Sequence, residues 1–107
     1  MKLLNLFRRS GMERGLQAYR ETPGAILLDV RTSWEYDQGH IPGSQNIPLM
    51  SLSDMPEKIE DKETALFVYC QSGNRSRQAV GILEYMGYHN AFDIGGIADY
   101  SGELVTK

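Results

Sequence analysis

The sequence predicts an α/β fold: a mostly parallel sheet covered by helices on both faces. Two short, continuous apolar runs carry that prediction, residues 25–30 (AILLDV) and 65–69 (ALFVY). Neither run alternates with polar residues, as expected of strands buried on both faces. Stretches of helical spacing lie between the strand candidates, and that alternation calls for parallel strands joined by right-handed crossovers. The chain has 107 residues, the size of one domain.

The elements follow in chain order. Residues 1–9 (MKLLNLFRR) hold an apolar run broken by Asn5 and closed by two arginines. The run is too short for a signal-peptide core or a membrane span, and no small-residue cleavage site follows. Residues 1–11 are therefore expected to form an N-terminal arm and 12–107 the domain, in the cytoplasm. A weak membrane-surface anchor is the alternative use of the arm. Residues 11–21 carry Met12, Leu16 and Tyr19 at helical spacing and stop at the turn signal Thr22-Pro23-Gly24. After the first strand, Thr32-Ser33 can cap a short helix that Gly39 ends. Pro42-Gly43 marks a turn, residues 45–47 a short strand stopped by Pro48, and residues 53–57 a helix start with Pro56 in its first turn. The second clear strand runs into Cys70. Residues 76–86 read as a helix with Ala79, Val80, Leu83 and Met86 on one stripe, closed by Gly87. Residues 91–94 form a further strand, and Gly95-Gly96 precede a last helical turn at 97–100.

Composition narrows the function. The hydrophobic share is 41% and the charged share 23%, values of a globular chain rather than a disordered or fibrous one. The formal net charge is −3, with no basic excess for nucleic acid. There is one cysteine, so an internal disulfide, a Cys-based zinc site and a CxxC pair are all excluded. No metal or organic cofactor is expected. Cys70 is either a small core residue or a reactive thiol.

Its setting decides for the thiol. Tyr69-Cys70-Gln71-Ser72-Gly73-Asn74-Arg75-Ser76 places the cysteine at the carboxyl end of a buried strand, where open α/β sheets bind ligands. The loop is short, polar and contains Gly73, so it can curl until successive N–H groups point inward. The helix behind it adds unpaired N–H donors and a positive dipole end. Arg75 closes the loop with a fixed charge. Each feature favours thiolate and should push Cys70 below the ordinary thiol value of about 8.5. The spacing is C-x4-R, a cradle tighter than the C-x5-R loop of cysteine phosphatases, and it suits one added sulfur better than a phosphoester. With no second cysteine, a captured sulfur must leave to another molecule.

Leu28-Asp29-Val30-Arg31, Glu35, the run Gly39-His40-Ile41-Pro42-Gly43-Ser44 and Asn46-Ile47-Pro48 resemble the signatures of rhodanese-like domains. Val68 to Ser76 resembles their active-site loop and Gly95-Gly96-Ile97 the segment after a late strand. The resemblance spans residues 12–104. It implies a central five-stranded parallel sheet and a sulfurtransferase: Cys70 takes a sulfane sulfur from thiosulfate, a persulfide or a polysulfide and yields it to cyanide or a thiol. A protein sulfur donor or acceptor is a further option; nucleic acid is not. The catalytic residue would be Cys70, with Gln71, Ser72, Gly73, Asn74, Arg75 and Ser76 binding substrate.

Asp29, Arg31, His40, Gly95 and Gly96 would support the site: Asp29–Arg31 as an ion pair bracing the loops, His40 bonding loop backbone, and Gly95-Gly96 allowing close backbone approach. Trp34 is expected to pack, and His89 to be solvated. Two departures stand out. Gln71 and Ser72 are neutral where thiosulfate-preferring relatives often carry a basic residue, which shifts weight toward a persulfide or polysulfide donor. Tyr100 stands where many relatives have tryptophan. The alternatives are a protein-binding or sulfur-carrier module and, less favoured by the loop length, a phosphatase or arsenate reductase of the same fold.

Overall fold

The structure is a computed structural model, and it describes residues 11–107. Of the arm expected at residues 1–11, only Gly11 lies among the described residues, and there it opens the first described helix.

Helix α1 spans Gly11–Arg20 and buries Met12 and Leu16, one turn apart on one face. Strand β1 (Ile26–Asp29) follows the predicted turn, then α2 (Ser33–Gln38) and the short strand β2 (Gln45–Asn46). A 3-10 turn (Leu49–Asp54) leads into α3 (Met55–Lys58). Strand β3 (Leu66–Cys70), α4 (Asn74–Tyr85), β4 (Ala91–Gly96) and a 3-10 turn (Ile97–Asp99) complete the order. The sheet order is β2-β1-β3-β4, with every pairing parallel. Four strands are found among the described residues, not five. The described sequence holds four strand-forming stretches; the fifth was implied by resemblance alone.

β3 shows why the apolar runs have no polar alternation. All five of its residues are buried. Leu66, Val68 and Cys70 join a core with Ala79 and Leu83 of α4 and Leu52 and Met55 of the β2–α3 region. Phe67 and Tyr69 join a second core with Met12 and Leu16 of α1 and Ile94 and Ile97. One strand thus serves two helical layers, and its successive side chains feed each in turn.

Capping fixes α2. Thr32 Oγ1 accepts from the Glu35 N–H at 3.2 Å, and Glu35 Oε1 accepts from the Thr32 N–H at 3.0 Å, a reciprocal pair that satisfies two helix-end donors. Helix α4 begins two residues earlier than expected, at Asn74. Gly73 caps it in a left-handed conformation (φ 104°) without a side-chain bond, so the chain turns inside the loop itself. Trp34 corrects the sequence reading. It is 70% exposed, because α2 buries none of its own residues.

The Tyr69 hydroxyl is buried and bonded to the Ile41 N–H (3.1 Å) and Ser44 Oγ (3.1 Å), tying β3 to the segment that follows α2. Tyr69→Phe leaves the buried Ile41 N–H without its acceptor, while Ser44 Oγ keeps its bond to the Ile41 carbonyl. It should cost about 1–3 kcal/mol of stability in urea unfolding with an unchanged slope.

Candidate active site

Cys70 ends β3, and the chain folds back over it at once. Its sulfur accepts a hydrogen bond from the Gly73 N–H at 3.0 Å, and its own S–H points at Ser76 Oγ, 3.5 Å away. The residue is 1% exposed. Burial works against ionisation and is the largest single influence on the thiol. The Ser76 contacts and the N–H groups of Ser76, Gly73 and Ser72 together outweigh it and hold the thiol below its ordinary value. A loop that wraps the sulfur in backbone donors is what the short, Gly-containing sequence called for.

The loop stays close because Gly96 lets it. Gly96 lies opposite Cys70 in the β3–β4 ladder. A Cβ at that position would sit 2.5 Å from the Gln71 carbonyl oxygen and 2.7 Å from Ser72 Cα. Gly95 differs from the expectation. A Cβ there would meet nothing; what Gly95 supplies is φ 99° at a β-bulge, the register shift opposite Val68/Tyr69.

Around the loop, every expected residue has a place, and several differ from their expected roles. Asp29 and Arg31 form the buried ion pair that was foreseen, with Arg31 Nη2 to Asp29 Oδ2 at 2.8 Å and Nε to both carboxylate oxygens. The same guanidinium donates to Gly39 O (2.7 Å) and reaches Gln71 Oε1 (3.4 Å), so it joins β1, the end of α2 and the loop. His40 is also structural. Its ring stacks on Tyr36 at 3.6 Å, and Nδ1 lies 2.8 Å from the Tyr36 carbonyl, which can only accept, so that nitrogen carries the proton. Gln71, Ser72 and Asn74 are exposed, and Ser76 is fully buried.

Arg75 does not stand free at the mouth of the loop. It makes a two-pronged ion pair with Glu35, Nη1 to Oε1 at 2.7 Å and Nη2 to Oε2 at 3.0 Å. Arg75 holds the Glu35 carboxyl down to about 2. Both arginines that flank the loop are therefore matched by carboxylates. A cleft beside the loop is lined by Arg31, Glu35, Gln38, Gly39, Gln71 and Leu104. Among the described residues, no three His, Cys, Asp or Glu side chains cluster as metal ligands, and no helix is long and apolar enough to cross a membrane.

Two partners escaped the sequence reading. Glu35 was seen as part of a motif but not as the mate of Arg75, which lies forty residues away. The sequence places Asp93 only within a strand, yet its Oδ1 accepts from Ser76 Oγ at 2.7 Å. The available signal was an acid inside an otherwise apolar strand.

The family model described as "Rhodanese-like domain" matches residues 13–103. The chain belongs to the rhodanese-like family. Thiosulfate sulfurtransferase PspE of Escherichia coli K12 is 38% identical over 73 residues, covering 67% of this chain and 70% of that protein. Adenylyltransferase and sulfurtransferase uba4 of Ogataea parapolymorpha is 42% identical over 79 residues, covering 73% of this chain. A tRNA uridine(34) hydroxylase of Erwinia tasmaniensis is 30% identical over 92 residues, covering 80% of this chain. The chain spans only 20% and 26% of those two longer relatives. Among solved structures, a rhodanese with anions from E. coli superposes with a TM-score of 0.71 at 34% identity, covering 78% of this chain and 99% of the other. The rhodanese-like domain therefore occurs both in short sulfurtransferases and as a part of larger proteins with other names.

The Glu35–Arg75 pair carries a pH dependence. A carboxylate whose value is depressed on folding stabilises the fold above its unfolded value and loses that contribution as pH falls through the folded one. Wild type should exceed Glu35→Gln in stability at neutral pH, and the difference should fade as pH falls from about 4.5 toward about 2. Chemical unfolding across that range measures it; equal stability of the two proteins at pH 7 would show that the pair contributes nothing.

Proposed function

We propose that this rhodanese-like protein is a sulfurtransferase in which Cys70 carries the sulfur. The observation that supports this most is the sulfur at the carboxyl end of β3, held by the Gly73 N–H at 3.0 Å, with its thiol drawn below the ordinary value. In the first half-reaction the Cys70 thiolate attacks the outer sulfur of a donor R–S–SH. The Cys70 S–S bond forms, the donor S–S bond breaks, and RS⁻ leaves with the bond's electron pair. In the second, a thiolate or cyanide attacks the outer sulfur of the persulfide and Cys70 departs as thiolate. The N–H groups of the loop offer the same stabilisation to the sulfur at the start and at the end of this cycle.

Charge pairing bears on the donor. Arg31 and Arg75 are already matched by Asp29 and Glu35, and Gln71 and Ser72 add no charge. A dianion such as thiosulfate would have to compete with those carboxylates. A persulfide or polysulfide that carries a single negative charge or none competes less with them, and it is the donor class we favour. The test is a donor panel read by intact mass. A sulfane donor should add one sulfur, about 32 Da, at Cys70 as a covalent intermediate. Polysulfide should load faster than thiosulfate, and Cys70→Ser should take up nothing. Absence of any adduct with every donor would defeat the reading, and Cys70-dependent phosphoester hydrolysis would redirect it to phosphate chemistry.

A second reading, a module that receives sulfur from a protein partner, draws on the exposed Trp34. Its chain neighbour Glu35 is the mate of Arg75, and the Trp34 side chain is 70% exposed, whereas the thiol is 1% exposed. If a protein docks there, Trp34→Ala should slow sulfur uptake from a persulfidated protein severalfold and leave uptake from small polysulfide unchanged.

A further inference from the structure

The polar partner of Ser76 lies on β4. Ala91 of that strand packs in the α4-side core and Ile94 in the α1-side core. Alternation along the strand puts Asp93 on the α4 side, with Ala91. There Asp93 Oδ1 accepts from Ser76 Oγ at 2.7 Å and from the Gly95 N–H at 2.9 Å, across the β-bulge.

The Ser76 hydroxyl has one proton and three acceptors in reach: Asp93 Oδ1 at 2.7 Å, Gly73 O at 3.1 Å and Cys70 Sγ at 3.5 Å. The carboxylate is both the nearest and the strongest of the three. The proton therefore lies toward Asp93, and Oγ turns a lone pair to the sulfur, where it accepts the thiol S–H. A thiolate would need the opposite arrangement, a hydroxyl that donates to it. Ser76 cannot donate to Asp93 and Cys70 together.

We propose that Asp93 is a positioning residue for Cys70: its carboxylate holds the Ser76 proton and makes that hydroxyl an acceptor for the thiol instead of a donor to the thiolate. This rests on Cys70 being the nucleophile of the function proposed above. The loop N–H groups favour ionisation of the sulfur, as the Ser76 hydroxyl does when it turns its proton to the sulfur, and Asp93, by competing for that proton, limits the Ser76 contribution. A balance of this kind suits a nucleophile, because a thiolate that is stabilised too far attacks more slowly. It also favours the loaded state. Once Cys70 is a persulfide, Sγ no longer carries the charge and makes no demand on the hydroxyl, so Asp93 keeps the proton without competition.

Other charged groups surround this line of contacts. Arg75 of α4 with Glu35 of α2, and Asp29 with Arg31 at the end of β1, lie around the loop. Arg14 of α1 and Glu63 share with Asp93 the groove along β4. A test must separate the hydrogen bond from charge at a distance, and Ser76 allows that.

The experiment follows iodoacetamide alkylation against pH in the full chain, where Cys70 is the only thiol. It compares wild type, Asp93→Asn, Ser76→Ala and the double variant. Asparagine is a weaker, neutral acceptor and frees the hydroxyl for the sulfur. Asp93→Asn should lower the alkylation midpoint by about half a pH unit or more, about a threefold gain in thiolate below the midpoint. In the Ser76→Ala background the same substitution should move it much less. An unchanged or raised midpoint, or an equal shift with and without Ser76, would overturn the proposal. Should Asp93→Asn fail to fold, Asp93→Ser, which still offers an oxygen to the Gly95 N–H, gives the same comparison. Alkylation needs no sulfur donor. Failure of sulfur loading with a normal Asp93 effect would reject the proposed function and leave this inference standing.

Discussion

A sulfur that is to be ionised while 1% exposed must find its donors inside the protein, and that requirement organises the whole carboxyl edge of the sheet. Arg75 makes its direct hydrogen bonds with Glu35, so among the described residues no cation bonds the sulfur itself. Backbone N–H groups do, and backbone can reach the sulfur only if the chain reverses immediately after the strand. That reversal needs the left-handed Gly73, and it brings Gln71 and Ser72 so near β4 that only glycine fits at position 96. The bulge next to it then places Gly96, not Gly95, opposite Cys70. One electrostatic need thus sets the conformation of a loop, the composition of the neighbouring strand and the register between them.

Charged side chains around the site act mainly on each other. Arg31 spends its planar fork on Asp29 and on the Gly39 carbonyl, and Arg75 spends both of its terminal nitrogens on Glu35. Glu35 has a second task as the N3 member of the capping box of α2. The capping box and the ion pair share one carboxylate, so the helix after β1 and the helix after β3 are fixed by the same side chain. Asp29–Arg31 and Glu35–Arg75 each cancel their own charge and leave the loop preorganised, a setting in which short backbone hydrogen bonds count for more than they would in water.

Much of this was legible in the sequence, for identifiable reasons. The two buried strands showed themselves as unbroken apolar runs because each faces two helical layers. The candidate nucleophile stands out in the sequence because strand end, short polar loop and helix start are all local. The ion pair at 29 and 31 is local too. What was not legible depends on distance along the chain. Glu35 meets Arg75, and Ser76 meets Asp93, only after the sheet is assembled. The exposure of Trp34 is not legible, because large aromatic residues are usually buried and nothing in its sequence neighbours says that α2 fully buries none of its residues. The fifth strand was carried by family likeness with no apolar run of its own among residues 11–107.

The exposure of Trp34 has a practical side. It is the only tryptophan in the chain, and in the folded state 70% of it already meets solvent. Its emission will change little when the core comes apart, so fluorescence is a poor gauge of global unfolding in this protein. The same placement, one residue from the carboxylate that grips Arg75, makes it a built-in optical probe of whatever settles against the exposed surface of α2.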